Sequence, residues 1–269
     1  QNIKEISYPF LSVYCQCILH NLGSRVAWSI LERLGRFDPS SNLGCPILSI
    51  LFMNTAKAIS VLTELNHLYP HTREDMNFLK FKNPYQILIM TILSAQTKDV
   101  TINGLRDELF SCYPDPQSLA SADPAEVERI IHPVGFYHTK AKNIIGTAKC
   151  LCENFGGDVP QTIAELVTMP GVGRKTANIV TNHAFANPVG IAVDTHVGRL
   201  SQRIGFSDNS DPNRIEQDLM KLFPKKWWGE INYLLISHGR AICTAKEPAC
   251  DHCVICHHCK TYHQTQKTQ

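Results

Sequence analysis

The stretch TIAELVTMPGVGRKTANIVTNHAF, from Thr162 to Phe185, leaves the backbone few choices. Thr162 and Glu165 stand at capping-box spacing, which starts a short helix. Pro170 ends that helix, because a residue before proline is pushed out of the helical region. Gly171 and Gly173 permit positive φ and close backbone approach. A second amphipathic helix then begins at once, with Arg174 and Lys175 in its first turn. The spacing predicts helix, tight turn, helix. The N–H groups of Gly171, Val172 and Gly173 are expected to point outward beside the second helix's N-terminus, a ready anion site. A DNA phosphate is a natural occupant, in a contact that carries no sequence information. The bland alternative is a plain helix corner with glycines present only for packing.

The rest of the chain after Met53 also reads as helix. AKAISVLTELNHLY repeats its apolar residues at one-face helical spacing. PYQILIMTILSA is nearly all apolar, as a central buried helix would be. Asp123-Pro124-Ala125-Glu126 places Asp at an N-cap and Pro at the first helical position. TKAKNIIGTAKCLCENF stops at Gly156-Gly157, and Asp211-Pro212 opens a further helix. No alternating strand run, internal repeat or low-complexity tract is found, so an all-α fold is expected. Residues 1–52 lack clean periodicity, and Pro39, Ser40, Ser41, Asn42 and Gly44 interrupt them. They are expected to be an extension, possibly disordered or not native, with the compact domain starting near Met53.

At 43% hydrophobic and 19% charged, the composition supports an ordinary core. The net charge of +2 is too small to demand a nucleic-acid partner, so phosphate binding would need a local basic surface. No stretch reaches the length of a membrane span or forms a signal peptide. Eleven cysteines suggest disulfides at first, but five fall within Cys243–Cys259, the pattern of metal ligation in a reducing compartment, cytoplasmic or nucleoid-associated. The residues alone leave zinc and iron–sulfur near parity, since both accept four thiolates. One ligand set is Cys243, Cys250, Cys253 and Cys259. Other sets draw on Cys256, and His252, His257 and His258 are further zinc ligands to consider.

Five motifs in consistent order carry a resemblance. MPGVGRKTANIV is similar to the helix-hairpin-helix of the endonuclease III family of DNA glycosylases, and VDTH to its catalytic-aspartate segment. LSAQTKDV resembles the damage-pocket segment, GFYHTKAKNI the DNA-wedge loop, and the cysteine tail the iron–sulfur motif. The match runs from about Met53 to Cys259, and residues 1–52 have no counterpart. The resemblance implies two helical domains: residues 77–187 with the hairpin, and 53–76 joined to 188–269 around the cluster. It also implies a [4Fe-4S] cluster on Cys243, Cys250, Cys253 and Cys259, with Cys256 left over.

For Lys175, a helix N-terminus and the neighbouring Arg174 both favour the neutral amine, a nucleophile and Schiff-base former. The commoner use of such a lysine is phosphate contact. Asp194 has the position of an ordinary N-cap, yet its carboxylate can also steady positive charge at a sugar C1′. The resemblance joins the two: Lys175 attacks C1′, the base departs, and the imine drives β-elimination, while Asp194 supports base departure and activation of the amine. It makes Gln96 the filler of the gap left by a flipped base and Phe136 the wedge, against the alternatives of a helix-end polar residue and a core residue. His138, Lys140 and Lys142 are candidate phosphate contacts, as are Lys246, Lys260, His252 and His257 on the cysteine loop.

The expected activity is thus a bifunctional glycosylase and lyase, a monomer acting on double-stranded DNA with damaged, chiefly oxidised pyrimidine, bases. Three rivals stand beside it: a base-excising mismatch glycosylase, a non-catalytic zinc-binding DNA module, and an inactive paralogue whose extension blocks the cleft. Lys175 argues against the first, as does a chain that ends ten residues after Cys259.

Overall fold

Asn54 starts the first helix by accepting a hydrogen bond from the Lys57 N–H at 2.9 Å. This helix, α1 (Thr55–Leu68), buries the stripe Ala58, Val61, Leu62 and Leu65. The structure, a computed structural model, describes residues 53–266, so the expectation for residues 1–52 lies outside the described residues. Next, α2 (Pro84–Leu93) opens on an Asn83 cap with Pro at its first position, and every residue from Tyr85 to Leu93 is buried. Then come α3 (Asp99–Cys112), α4 (Pro116–Ala120), α5 (Pro124–Ile131) and the long α6 (Tyr137–Phe155). Asp123 caps α5, and Gly156 ends α6 at φ +62°, as the sequence predicts.

The short α7 (Ile163–Leu166) and α8 (Arg174–Phe185) flank the PGVG turn. Four helices complete the described chain: α9 (Thr195–Ile204), α10 (Pro212–Leu222), α11 (Trp228–Ala241) and α12 (Lys260–Gln266). Among the described residues there is no strand, and the all-α expectation is borne out. No helix among them is long and apolar enough to cross a membrane. The sequence reading did not mark α3, α4 or α11. Neither α3 nor α11 has a side-chain cap at its start, which removes the signal used to find the others.

Two hydrophobic cores form. The first gathers α2 to α8, with Leu88, Ile89, Leu119, Ile131, Ile144 and Val180 among its fully buried members. Helix α2 runs through it, touching α3, α6 and α8. The second joins α1 to α9, α10 and α11, and Ile255 of the cysteine loop inserts into it. Residues Pro170–Gly173 are seated on α6: the Thr147 hydroxyl donates to the Pro170 carbonyl at 2.8 Å. Gly171 adopts φ +75°, and a Cβ there would meet the Asn143 side-chain nitrogen at 2.9 Å. Gly171→Ala is therefore expected to lower the unfolding free energy by about 1–3 kcal/mol, read from urea denaturation. An unchanged midpoint would mean the turn relaxes freely.

Candidate active site

The first turn of α8 has no side-chain cap, and Gly173 before it is extended. The amides of Gly173, Arg174 and Lys175 find no acceptor among the described residues. They face the N-terminal end of the helix dipole, as an anion site requires. Val172 differs from expectation: its N–H is spent on the Met169 carbonyl at 3.2 Å, and its side chain is buried. The valine locks the turn onto the first core, which leaves the amides of Gly171, Gly173 and the start of the helix without an acceptor among the described residues.

Arg174 is tied down as well. Its Nε and a terminal nitrogen reach the Glu216 carboxylate at 2.5 and 3.1 Å. Glu216, on α10, is only 4% exposed at its side chain. It also accepts from Asn178 Nδ2 at 2.8 Å and from the Ile191 N–H at 3.3 Å. Arg174 thus balances a buried carboxylate. Sequence reasoning missed Glu216, although one signal was available: it lies beside Ile215 and three residues before Leu219, on the buried face of α10. A carboxylate on that face requires a cation or several donors.

Asp194 is the N-cap of α9, where one carboxylate oxygen accepts the Val197 N–H at 2.8 Å. It is partly buried, and Lys175 and Asp194 line the same cleft of about 380 Å³. Gln96, His183 and His196 share that cleft. Burial pushes the His196 imidazole down from its ordinary value, opposed by the Asp194 carboxylate. At its edge Arg240 pairs with Asp99 at 2.7 Å and lies 4.2 Å above the Phe78 ring. Arg240 sits on α11 and Asp99 on α3, so the pair joins helices of the two cores.

Gln96 is exposed and left-handed at φ +55°, in the short segment after α2. Phe136 is left-handed at φ +59° and 70% exposed at the start of α6, which removes its reading as a core residue. Beyond it the basic residues divide. Lys142 is exposed. His138 meets Glu128 at 2.6 Å. Lys140 is buried, and its ammonium donates to protein oxygens rather than facing solvent, so the phosphate-contact reading fails for it.

The five C-terminal cysteines converge. Cys243, Cys250, Cys253, Cys256 and Cys259 line one cavity of about 40 Å³, and the structure does not set Cys256 apart. Burial pushes the Cys253 thiol up to about 11 and raises Cys250 and Cys259, with neighbouring cysteines adding to each. Sulfurs so placed hold a full set of thiolates only around positive charge. Donors already point at two of them: Arg203 reaches Cys243 Sγ and His238 Nε2 approaches Cys253 Sγ, each at 3.4 Å. The donor set fits a thiolate-bound metal group. The expected basic loop is partly neutralised, with Lys260 on Asp208 at 2.5 Å and His257 facing Glu64 at 3.5 Å, while Lys246 stays exposed.

Comparison with known proteins places this geometry. Residues 89–225 match the HhH-GPD superfamily base excision DNA repair protein family. Endonuclease III of Synechocystis sp. is 46% identical over 203 residues, covering 76% of this chain and 91% of that protein. Endonuclease III of Escherichia coli K12 is 38% identical over 203 residues, 76% of this chain and 94% of that one. A solved structure of a trapped endonuclease III–DNA covalent intermediate superposes with a TM-score of 0.73 at 35% identity, covering 80% of this chain and all of that one. A thermostable thymine-DNA glycosylase superposes with a TM-score of 0.70 at 22% identity, over 78% and 98% of the two chains, which speaks for the fold alone.

His183 gives the cleft a pH signature. Burial, with Arg73 nearby, lowers its pKa to about 4. The unfolded chain takes up that proton near about pH 6.5, so this term is present above about pH 6.5 and is lost as pH falls toward about 4. Linkage sets it at up to roughly 3 kcal/mol. His183→Gln should flatten the acid limb of the stability–pH curve in that window. A slope identical to that of the parent chain would remove His183 as its source.

Proposed function

Because the chain belongs to the endonuclease III family, within the HhH-GPD superfamily of base excision DNA repair proteins, we propose that Lys175 and Asp194 carry its reaction. The protein is a bifunctional DNA glycosylase and abasic-site lyase that binds damaged double-stranded DNA as a monomer and excises damaged pyrimidines. The observation that carries the assignment of residues is one cleft shared by Lys175, Asp194 and Gln96 beside an uncapped helix N-terminus.

The first-turn amides of α8 receive a backbone phosphate, which fixes the strand without reading its sequence. Phe136 wedges into the stack and Gln96 fills the vacated position once the damaged nucleotide swings into the cleft. The Lys175 amine attacks C1′, and the bond to the base breaks with its electrons leaving on the base. The Asp194 carboxylate steadies the positive charge that grows at the sugar as that bond lengthens. Loss of a proton from the amine frees its lone pair to open the sugar ring, the C1′–O4′ bond breaking as O4′ takes up a proton, and the electron-withdrawing pull of the resulting protonated imine allows a proton to leave C2′. The 3′ phosphate then departs by β-elimination. The Asp194 cap holds the carboxylate still while it acts.

We assign residues 77–187 to one domain and 53–76 with 188–269 to the other, in keeping with the two cores. We further assign a [4Fe-4S] cluster to Cys243, Cys250, Cys253 and Cys259. Bound there, it would supply the positive charge that lets four sulfurs sit together and would staple a short polar loop onto Ile255's core. Zinc on the same cysteines is the outcome that would overturn this.

Sodium borohydride should trap the protein covalently on damaged or abasic duplex DNA, and Lys175→Ala should abolish trapping and nicking. Persistent trapping by that variant would place the nucleophile elsewhere. Asn is as good an N-cap as Asp, so Asp194→Asn should fold normally yet lower single-turnover excision by about a hundredfold. Iron and sulfide in equal amounts, with visible absorption, are expected of the purified protein. Cys256→Ser should keep both, and Ser at any of the other four positions should lose them. Loss of iron from the Cys256 variant would redraw the ligand set.

A further inference from the structure

Lys140 is 5% exposed, an unusual place for an ammonium group. All three of its N–H donors have partners: the carbonyls of Leu93 at 2.9 Å and Ala95 at 2.5 Å, and the Thr97 hydroxyl at 3.0 Å. Residues 93, 95 and 97 bracket Gln96, whose backbone is held left-handed at φ +55°. That conformation disfavours an L residue and persists only where surroundings fix it. The Leu93 carbonyl ends α2, where no further helix N–H is available to it, and the Ala95 carbonyl lies just past the Ser94 cap. A buried cation there satisfies both carbonyls, and burial in turn lowers the Lys140 pKa.

The other end of Lys140 is equally constrained. Its backbone N–H donates to the Phe136 carbonyl at 3.1 Å, closing the first turn of α6. Phe136 is itself left-handed and largely exposed. One residue therefore grips the two exposed, left-handed side chains that enter the duplex in the proposed reaction. Its backbone holds Phe136, and its side chain holds the Ala95 carbonyl and the Thr97 hydroxyl on either side of Gln96.

We propose that Lys140 is a positioning residue that sets the spacing between Gln96 and Phe136, so that filler and wedge enter the base stack together. Lys140 touches no DNA in this role and takes no part in the covalent steps. The proposal rests on the reading of Gln96 and Phe136 as inserting residues, and its test separates the two.

The experiment compares single-turnover excision of a damaged base from duplex DNA with nicking of a single-stranded abasic oligonucleotide, which has no base to displace. Lys140→Met should slow excision by about ten- to a hundredfold, as expected for small misplacement of working groups, and leave single-stranded nicking within about twofold. Fluorescence of 2-aminopurine paired opposite the lesion should report reduced base displacement. Lys140→Arg, which keeps several donors on the same stem, should restore most of the excision rate. In a Gln96→Ala, Phe136→Ala background, Lys140→Met should add nothing further, because the groups it positions are gone.

Equal loss on both substrates, no rescue by Arg, or a further full loss in the double-alanine background would each overturn the proposal. An unimpaired double-alanine protein would instead overturn the reading of Gln96 and Phe136. If Lys140→Met does not fold, Thr97→Val removes one acceptor while keeping the lysine. It should then show a smaller defect confined to duplex excision, and a defect of equal size on single-stranded abasic DNA would count against the role.

Discussion

One buried carboxylate holds the catalytic geometry together. Glu216 reaches Arg174 and Asn178 on α8 and the Ile191 amide, which lies three residues before Asp194. The neighbour of the proposed nucleophile and the segment leading to the proposed charge-steadying carboxylate thus hang from the same two oxygens. Gly190 sits so close that a Cβ would overlap them, so the chain must pass here without a side chain. A charge buried this deeply is stabilising only while every partner is in place. Lys175 and Asp194 sit on helices of different cores, and this network removes the slack between them.

The cysteine loop has a parallel economy. It contributes one apolar residue, Ile255, to the second core and little else that packs. Arg203 on α9 compensates from the outside, donating to the Thr244 and Ala245 carbonyls at 2.6 and 2.9 Å as well as to Cys243. The loop is thus fastened by polar contacts around a cavity whose sulfurs still need a counter-charge. It is the second half of a fold in which short-range caps set the helices and a few polar anchors set their mutual positions.

That division explains what was legible in the sequence. Caps and stops are local, and Thr162, Asp123, Asp211 and Gly156 announced their helices by residue type alone. The order of motifs carried the family, and the clustering of five cysteines announced their convergence on one cavity. Glu216 shows in the sequence only as a carboxylate on a buried helix face, and Lys140 not at all, since their partners lie 25 to 47 positions away, where no spacing rule connects them. The sequence makes Lys140 a candidate phosphate contact because a lysine on a helix usually faces solvent. Burial, a tertiary property, reversed that. The same blindness applies to α3 and α11, whose starts are fixed by neighbours rather than by caps.

The open amides at the start of α8 have a consequence for how the protein spends its time. A phosphate bound there as proposed would satisfy them on a damaged strand or an intact one, so the free chain would gain stability from undamaged DNA. Searching is then something done while bound, with the backbone grip constant from one nucleotide to the next. Discrimination falls to the few groups that test whether a base will leave its stack. On that proposed contact, an intact genome would act as a reservoir for this protein, and a lesion would be the place where residence turns into commitment.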